Sequence, residues 1–147
     1  MTREEATQQI LDAKRSKGLT FQGIAEAVGL HQICVTAALL GQASLDLVQS
    51  GRAANCLGLG PDVAEALQQH PMKGSLSSTV PVDPLIYRFH EITQVYGTTL
   101  KALIHEMFGD GIMSAIDFTM EIERVPNPHG DRIKVTYDGK FLPYKKW

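Results

Sequence analysis

The chain has 147 residues, of which 44% are hydrophobic and 20% charged, and its formal net charge is −2. This length fits one ordinary domain or two small ones. A charge so close to zero gives no long-range attraction to DNA or to an anionic membrane, and no apolar run approaches the roughly 18 residues that a membrane helix needs. We therefore expect a globular protein with neither nucleic acid nor membrane as a partner.

The first residues and the cysteines bear on location. The stretch MTREEATQQILDAKRSKG is polar and mixed in charge, unlike a secretory signal or an Arg-rich transit peptide. Cys34 and Cys56 are the only cysteines and lie in apolar surroundings, so we predict that both are buried and reduced. A cytoplasmic protein is expected.

Residues 1–72 are predicted to form a bundle of short helices. Apolar residues recur at helical spacing, and glycines stand at plausible helix ends: Gly18, Gly29, Gly41 and Gly60. In LTFQGIAEAVGLHQICVTAALLGQASL, a threonine caps a first helix and Gly29 makes a turn. The predicted core residues of the two helices are Ile24, Ala25, Val35, Ala38 and Leu39. This is a helix-turn-helix layout.

The charge of this bundle argues against DNA binding. Between Leu19 and Met72 the formal charge is −3, because this segment has one basic residue, Arg52, and four acidic ones: Glu26, Asp46, Asp62 and Glu65. The would-be reading helix, HQICVTAALLG, contains no Arg or Lys. Phosphate neutralisation supplies most non-specific DNA affinity, and base edges are read mainly by Arg, Lys, Asn and Gln. We interpret the bundle as a module for packing or assembly that does not bind DNA.

A linker and a second domain follow. The stretch PMKGSLSSTVPV is rich in Pro, Gly and Ser, which predicts a linker over residues 73–82 and a domain over 83–147. That domain opens with Asp83 as a helix N-cap and a proline at the first helical position. The helix is expected to run to Phe108, with Gly97 as a point where it can bend.

Two strands are predicted after this helix. IMSAIDFTMEIERV and DRIKVTYDGKFLPY alternate in the manner of strands and are joined by the turn-rich PNPHG. The pair Asp138–Gly139 is predicted to make a tight turn within the second. The fold class is therefore α+β, a helical bundle followed by a long helix and a small antiparallel unit. Because two strands are marginal alone, self-association is expected to cover their apolar residues: Ile112, Ile116, Phe118, Ile133, Val135 and Phe141.

Some segments resemble metal-binding or cofactor-binding motifs, but none of these motifs is complete. HEIT and HEMF lack the second histidine of a zincin helix, and LGLGP lacks the third glycine of a dinucleotide fingerprint and follows no strand. The five histidines are scattered, with no pair at ligand spacing. We expect no metal and no bound cofactor.

The segment YRFHE carries two candidate site residues. A helix turns about 100° per residue, which places Leu85, Phe89, Ile92 and Tyr96 on one stripe that is predicted to be buried. Arg88 borders this stripe and Glu91 lies on the same flank. From the residues alone, the two are either an i,i+3 surface ion pair of a few tenths of a kcal/mol, or a guanidinium held to bind a planar anion.

The third candidate, Ser114, lies in FGDGIMSAIDF. It is either a small residue tolerated in a buried strand or a hydroxyl aimed at something polar. The sequence around it supplies no histidine or lysine as a base, so a nucleophilic serine is not indicated.

These residues carry a resemblance. DPLIYRFHEITQVYGTTLKALIHEMFGDGIMSAIDF and the closing DGKFLP resemble the cyanases, also called cyanate hydratases or cyanate lyases, almost continuously over the C-terminal half. The likeness extends more loosely to VTAALLGQ in the helical half. One departure is His90, where many relatives are expected to carry an aromatic residue such as tyrosine.

The resemblance implies a catalytic set of Arg88, Glu91 and Ser114. It implies conversion of cyanate and bicarbonate to carbon dioxide and carbamate, which releases ammonia and more carbon dioxide, with bicarbonate as a co-substrate and no cofactor. It also implies a homodecamer of five dimers with active sites between subunits, the C-terminal domain forming the dimer. Glu91 either positions Arg88 or shuttles a proton.

Two alternatives from other classes remain. A transcriptional regulator would bind DNA through the helix-turn-helix and sense a ligand with its C-terminal part, although the shortage of basic residues argues against it. A non-catalytic assembly protein would share the oligomer and lack turnover, which an ammonia-release assay on cyanate would detect.

Overall fold

The computed structural model describes residues 1–74 and 76–147, and it divides the chain into two compact units, Met1–Ser75 and Leu76–Trp147. We call these the helical unit and the C-terminal unit. The helical unit contains α1 to α5, which span Arg3–Ser16, Phe21–Val28, Gln32–Leu39, Leu47–Leu57 and Pro61–Gln68. The C-terminal unit contains α6, β1 and β2, which span Pro84–Phe108, Gly111–Val125 and Arg132–Pro143. The α+β class is confirmed.

Local capping sets the helix starts. The Thr20 side chain accepts a hydrogen bond from the Gly23 amide at the start of α2, as the sequence predicts. Asp46 and Gln49 form a reciprocal capping box at α4. Gly29 ends α2 in the left-handed conformation, at a φ of 85°. Gly60 also lies at a helix end, as the N-cap of α5, whereas α4 ends at Gly58.

The hydrophobic core lies in the helical unit. All five predicted core residues are buried there. They pack in one cluster with Val28 of α2, with Leu45 of the loop before α4, and with residues of the other three helices: Ile10, Ala53, Leu57, Val63 and Leu67. The two cysteines are free, as expected, but Cys34 is exposed and Cys56 only half-buried. The expectation of buried thiols is therefore wrong for Cys34, because it lies on the outer face of a helix whose inner face carries Val35 and Ala38.

Arg3 ties α1 to the ends of two other helices. Its guanidinium donates to the carbonyl oxygens of Ala66 at 3.0 Å, Ala38 at 2.9 Å and Ala43 at 2.8 Å. Carbonyls in the last turn of a helix have no partner within the helix, and Ala38 and Ala66 lie in the last turns of α3 and α5. Burial lowers the pKa of Arg3, with the nearby Glu4 opposing the shift, yet the side chain stays charged at neutral pH.

The segment between α5 and α6 contains no helix or strand among its described residues. It covers the predicted linker over 73–82, of which residue 75 lies outside the described residues. Within the C-terminal unit, α6 begins where predicted, with the Asp83 carboxylate accepting from the amides of Leu85 and Ile86 at 2.9 Å each. The helix continues through Gly97 without a break.

The C-terminal unit buries almost none of its apolar side chains. None of the buried hydrophobic residues of the described chain lies beyond Leu67. The predicted stripe on α6 is exposed, with Ile92 at 50%, so its predicted burial is not found within a single chain. On β1, Ile116 is 98% exposed. The predicted apolar surfaces exist, but none of the residues described in the structure covers them.

The two strands form an antiparallel ribbon with one large irregularity. Met113 pairs with Phe141 and Phe118 pairs with Gly139, so residues 114–117 of β1 face Lys140 alone. This is a β-bulge. The predicted tight turn at Asp138–Gly139 is wrong, because both residues pair with β1 inside a continuous β2. The glycine marks a close approach of two backbones and not a reversal of the chain.

Candidate functional site

Arg88 lies in the second turn of α6 and is held by three contacts. Its Nε donates to the Pro84 carbonyl oxygen at 3.2 Å, and its Nη1 donates to Glu91 Oε2 at 3.0 Å. Its Cζ lies 5.3 Å from the centre of the Tyr87 ring, within cation–π range. Arginine has five N–H donors, so three remain for a ligand.

The Arg88–Glu91 pair is accessible to solvent. Their side chains are 58% and 45% exposed. Exposed ion pairs of this kind contribute about 0–1 kcal/mol to stability. The i,i+3 ion pair predicted from the sequence is therefore present. Because the pair contributes little to the stability of the fold, the guanidinium is available for a second role.

Tyr87 and His90 border this pair. Their ring centres lie 5.8 Å apart, so His90, the departure from the expected aromatic, still packs against the tyrosine. The contact of the Tyr87 ring with Arg88 was not predicted from the sequence.

Ser114 is the first residue of the bulge in β1 and is only 5% exposed. Its Oγ accepts hydrogen bonds from the amides of Ile116 at 3.1 Å and Asp117 at 2.9 Å. A hydroxyl has two acceptor lone pairs and one proton, so these bonds occupy both acceptor positions and leave the proton to donate. The oxygen of Ser114 is thus held in place by amides of its own bulge, and a role of its hydroxyl as a donor to a ligand stays a prediction.

One chain does not assemble the three candidates into one site. Among the described residues, no hydrogen bond or ion pair joins Ser114 to Arg88 or Glu91. Arg88 lies 20 residues before Phe108 at the end of α6, which is about 30 Å along a helix. The structure joins Arg88 and Glu91 directly, and no hydrogen bond or ion pair of the described residues joins Ser114 to them.

In the part of the chain that the structure describes, no three His, Cys, Asp or Glu side chains are grouped to hold a metal ion. None of the described helices is long and apolar enough to cross a membrane.

Comparisons with known proteins cover both units. Residues 3–71 match the family described as "Cyanate hydratase, N-terminal", and residues 78–146 match "Cyanate lyase C-terminal domain". The chain is 52% identical to a cyanate hydratase of Thiobacillus denitrificans over 147 residues, which is 100% of both chains. It is 50% identical to one of Acaryochloris marina over 97% of each chain.

The chain is also similar to a solved structure. The crystal structure of cyanase from T. urticae superposes with a TM-score of 0.81 at 42% sequence identity, covering 95% of this chain and 97% of that one. The likeness therefore includes the fold of the chain as well as its sequence.

Proposed function

This chain belongs to the cyanate lyase family, and we propose that it is a cyanase that decomposes cyanate in a bicarbonate-dependent reaction. The observation that carries the proposal is the end-to-end match to cyanate hydratases at about half identity. A match confined to the helical unit would have been equally consistent with a regulator. The alternative of a DNA-binding regulator is not favoured.

We propose that the reaction joins two small anions. An oxygen of bicarbonate attacks the electrophilic carbon of cyanate and forms a new C–O bond. The C–O bond on the bicarbonate side then breaks and releases carbon dioxide, which leaves carbamate once the cyanate nitrogen has taken up two protons. One proton comes from bicarbonate and the other from the surroundings. Carbamate takes up a further proton and separates into ammonia and carbon dioxide.

Arg88, Glu91 and Ser114 form the proposed catalytic set. Two unit charges 4 Å apart interact by about 4 kcal/mol at a protein-surface effective dielectric constant of about 20, so holding two anions together needs a cation and donors. Arg88 offers three free N–H donors in a rigid plane. Ser114 offers an O–H whose position is fixed by two backbone amides.

Glu91 has two possible roles in this set. Its hydrogen bond to Nη1 supports the role of positioning Arg88, since the bond fixes one branch of the guanidinium. A carboxylate at this place is also able to relay the proton that the cyanate nitrogen requires.

We propose that the site is completed between subunits of a homo-oligomer, a decamer of five dimers. The support is that no hydrogen bond or ion pair joins Ser114 to Arg88 or Glu91 among the described residues, and that the C-terminal unit leaves its apolar surface uncovered. In a symmetric assembly a second copy supplies what the first lacks. We propose residues 83–147 as the catalytic and dimerising domain, residues 1–72 as a bundle that does not bind DNA, and the cytoplasm as the location.

The decisive experiment measures ammonia release from cyanate by the purified protein in the presence of bicarbonate. We expect turnover that scales with protein concentration and stops on heat inactivation. A folded, assembled protein that releases no ammonia above the rate of cyanate in buffer would instead support a non-catalytic assembly protein.

A further inference from the structure

Gly139 borders the bulge that carries Ser114, next to Lys140 on β2. It pairs with Phe118, directly after the four unpaired residues of β1. A β-carbon added at Gly139 would collide with the carbonyl oxygen of Ser114 and would lie 2.6 Å from Cγ of Met113. Real β-carbons do not make contacts this short, so one of the partners would have to move.

The two collisions differ in their consequences. Met113 is a flexible side chain, whose Cγ and Sδ can rotate away. The carbonyl of Ser114 is backbone, and it belongs to the residue whose Oγ is held by the Ile116 and Asp117 amides. A shift of this carbonyl would therefore move residues 114–117, and with them the hydroxyl of Ser114.

We infer that Gly139 is a positioning residue for the Ser114 hydroxyl, a role that rests on the proposed function of Ser114. The absence of a side chain lets β2 approach the bulge closely enough to keep residues 114–117 in their hydrogen-bonded turn. Gly139 itself contacts no substrate in this proposal and acts only through the backbone of Ser114.

The test is a double-mutant cycle of Gly139→Ala and Ser114→Ala, with kcat and KM for cyanate and bicarbonate measured for the four chains. Azide, a linear anion with the electron count of cyanate, provides an equilibrium binding measurement in chains that do not turn over. We expect Gly139→Ala to lower kcat/KM by about tenfold or more, the scale of one lost hydrogen bond to a charged group. In the Ser114→Ala background the same change should have almost no further effect on either measurement.

Two further variants separate positioning from general damage to the ribbon. Gly111→Ala is the matched control, since its β-carbon would collide with the Leu142 carbonyl and the Phe141 ring and not with Ser114. Its effect on kcat/KM should be the same with and without Ser114. Adding Met113→Ala to Gly139→Ala should not restore activity, because the backbone collision remains.

Several results would overturn the inference. These are a normal kcat/KM in Gly139→Ala, an effect that persists in full without Ser114, recovery through Met113→Ala, or failure of Gly139→Ala to assemble where Gly111→Ala assembles. Each of these four results counts against the inference only if the wild-type chain turns cyanate over. A wild-type chain without turnover contradicts the proposed function itself, which distinguishes the two failures.

Discussion

Arg88 and Ser114 are both held by backbone groups, and this defines what each is able to contribute. Arg88 is fixed to the Pro84 carbonyl and Glu91, and Ser114 to two amides of its own bulge. Groups fixed before the substrate arrives do not need to reorganise during the reaction, which is the main source of electrostatic catalysis. The contributions of Arg88 and Ser114 to catalysis therefore depend more on where their donors are held than on how much charge they carry.

Arg88→Lys keeps the positive charge but removes the planar fork and the Nε donor to Pro84. We expect kcat/KM to fall about 10- to 100-fold, since hydrogen bonds to charged groups are worth about 1.5–3 kcal/mol, while the oligomer persists. The ammonia assay and size-exclusion chromatography measure the two effects. Arg15→Lys is the matched control, because Arg15 forms another exposed i,i+3 pair, with Asp12 at 3.6 Å. Near-normal turnover in Arg88→Lys would falsify the site assignment.

Ser114 is expected to bind and orient substrate without forming a covalent intermediate. Both acceptor positions of its oxygen are occupied by amides, and the stretch GIMSAI itself contains no histidine or lysine to activate it. Mass spectrometry of enzyme quenched during turnover should show an unmodified peptide around residue 114. Because cyanate also modifies amines chemically, a Ser114→Ala chain quenched in the same way gives the background. A carbamoyl group on Ser114 above this background contradicts the prediction.

At the scale of elements, the two halves of the chain use their helices differently. The helices of the helical unit bury their apolar faces against one another, whereas α6 presents an apolar stripe that nothing in the described chain covers. An exposed apolar surface of this kind typically marks an interaction site. The helix-turn-helix layout and the stripe on α6 lead to one prediction each.

The helical unit is not expected to bind DNA. The second helix of its helix-turn-helix layout, Gln32–Leu39, contains no Arg or Lys, so neither phosphate neutralisation nor base reading is supported. Titration of the full-length protein into a fluorescent duplex at low salt, where electrostatic binding is strongest, should give no saturable signal. Micromolar binding that weakens steeply as salt is added would contradict this expectation.

The stripe on α6 is expected to hold the oligomer together. Leu103 continues it, five turns after Leu85 and about 22 Å along the helix from Arg88, and both leucines are exposed. Leu103→Glu would place a charge in an apolar interface, and we expect smaller species in size-exclusion chromatography and light scattering. Thr98→Glu adds the same charge at an exposed position on the opposite face of α6 and should leave the assembly intact. Unchanged size in Leu103→Glu would exclude this face from the interface.

At the scale of the whole molecule, the proposed chemistry requires alignment of two anions more than activation of water. Hydrolysis of cyanate by water would need a metal or a strong general base. The proposed site instead offers a guanidinium, a hydroxyl and one carboxylate. Orientation alone is worth several kcal/mol when two reactants are held together.

Turnover is therefore expected to require bicarbonate and no metal. Activity should disappear in buffer stripped of carbon dioxide and return when bicarbonate is added, and exhaustive chelation should leave it unchanged. Ammonia release is measured in each condition, with untreated enzyme in parallel. Full activity without bicarbonate, or activity lost to a chelator and restored by zinc, would show that another mechanism operates.

The helices of the bundle, the long helix and the two strands were all predictable from the sequence. The helix ends at Thr20, Gly29 and Asp83 were predictable because caps act through hydrogen bonds within a few residues. The core positions Ile24, Val35 and their neighbours were predictable because a helix converts spacing directly into a face. The candidates Arg88, Glu91 and Ser114 came from residue type and resemblance, and their catalytic roles remain predictions.

Which apolar surfaces a single chain covers, and how its two strands pair, became apparent only in the folded structure. Periodicity predicted the stripe on α6, but burial depends on whether another element packs there, and none of the described elements does. Asp138–Gly139 has the local signature of a turn, yet pairing with β1 carries it straight through the ribbon. The bulge that fixes Ser114 depends on the same pairing. Strand register is set by contacts between residues far apart in the chain, and these contacts leave no local signal.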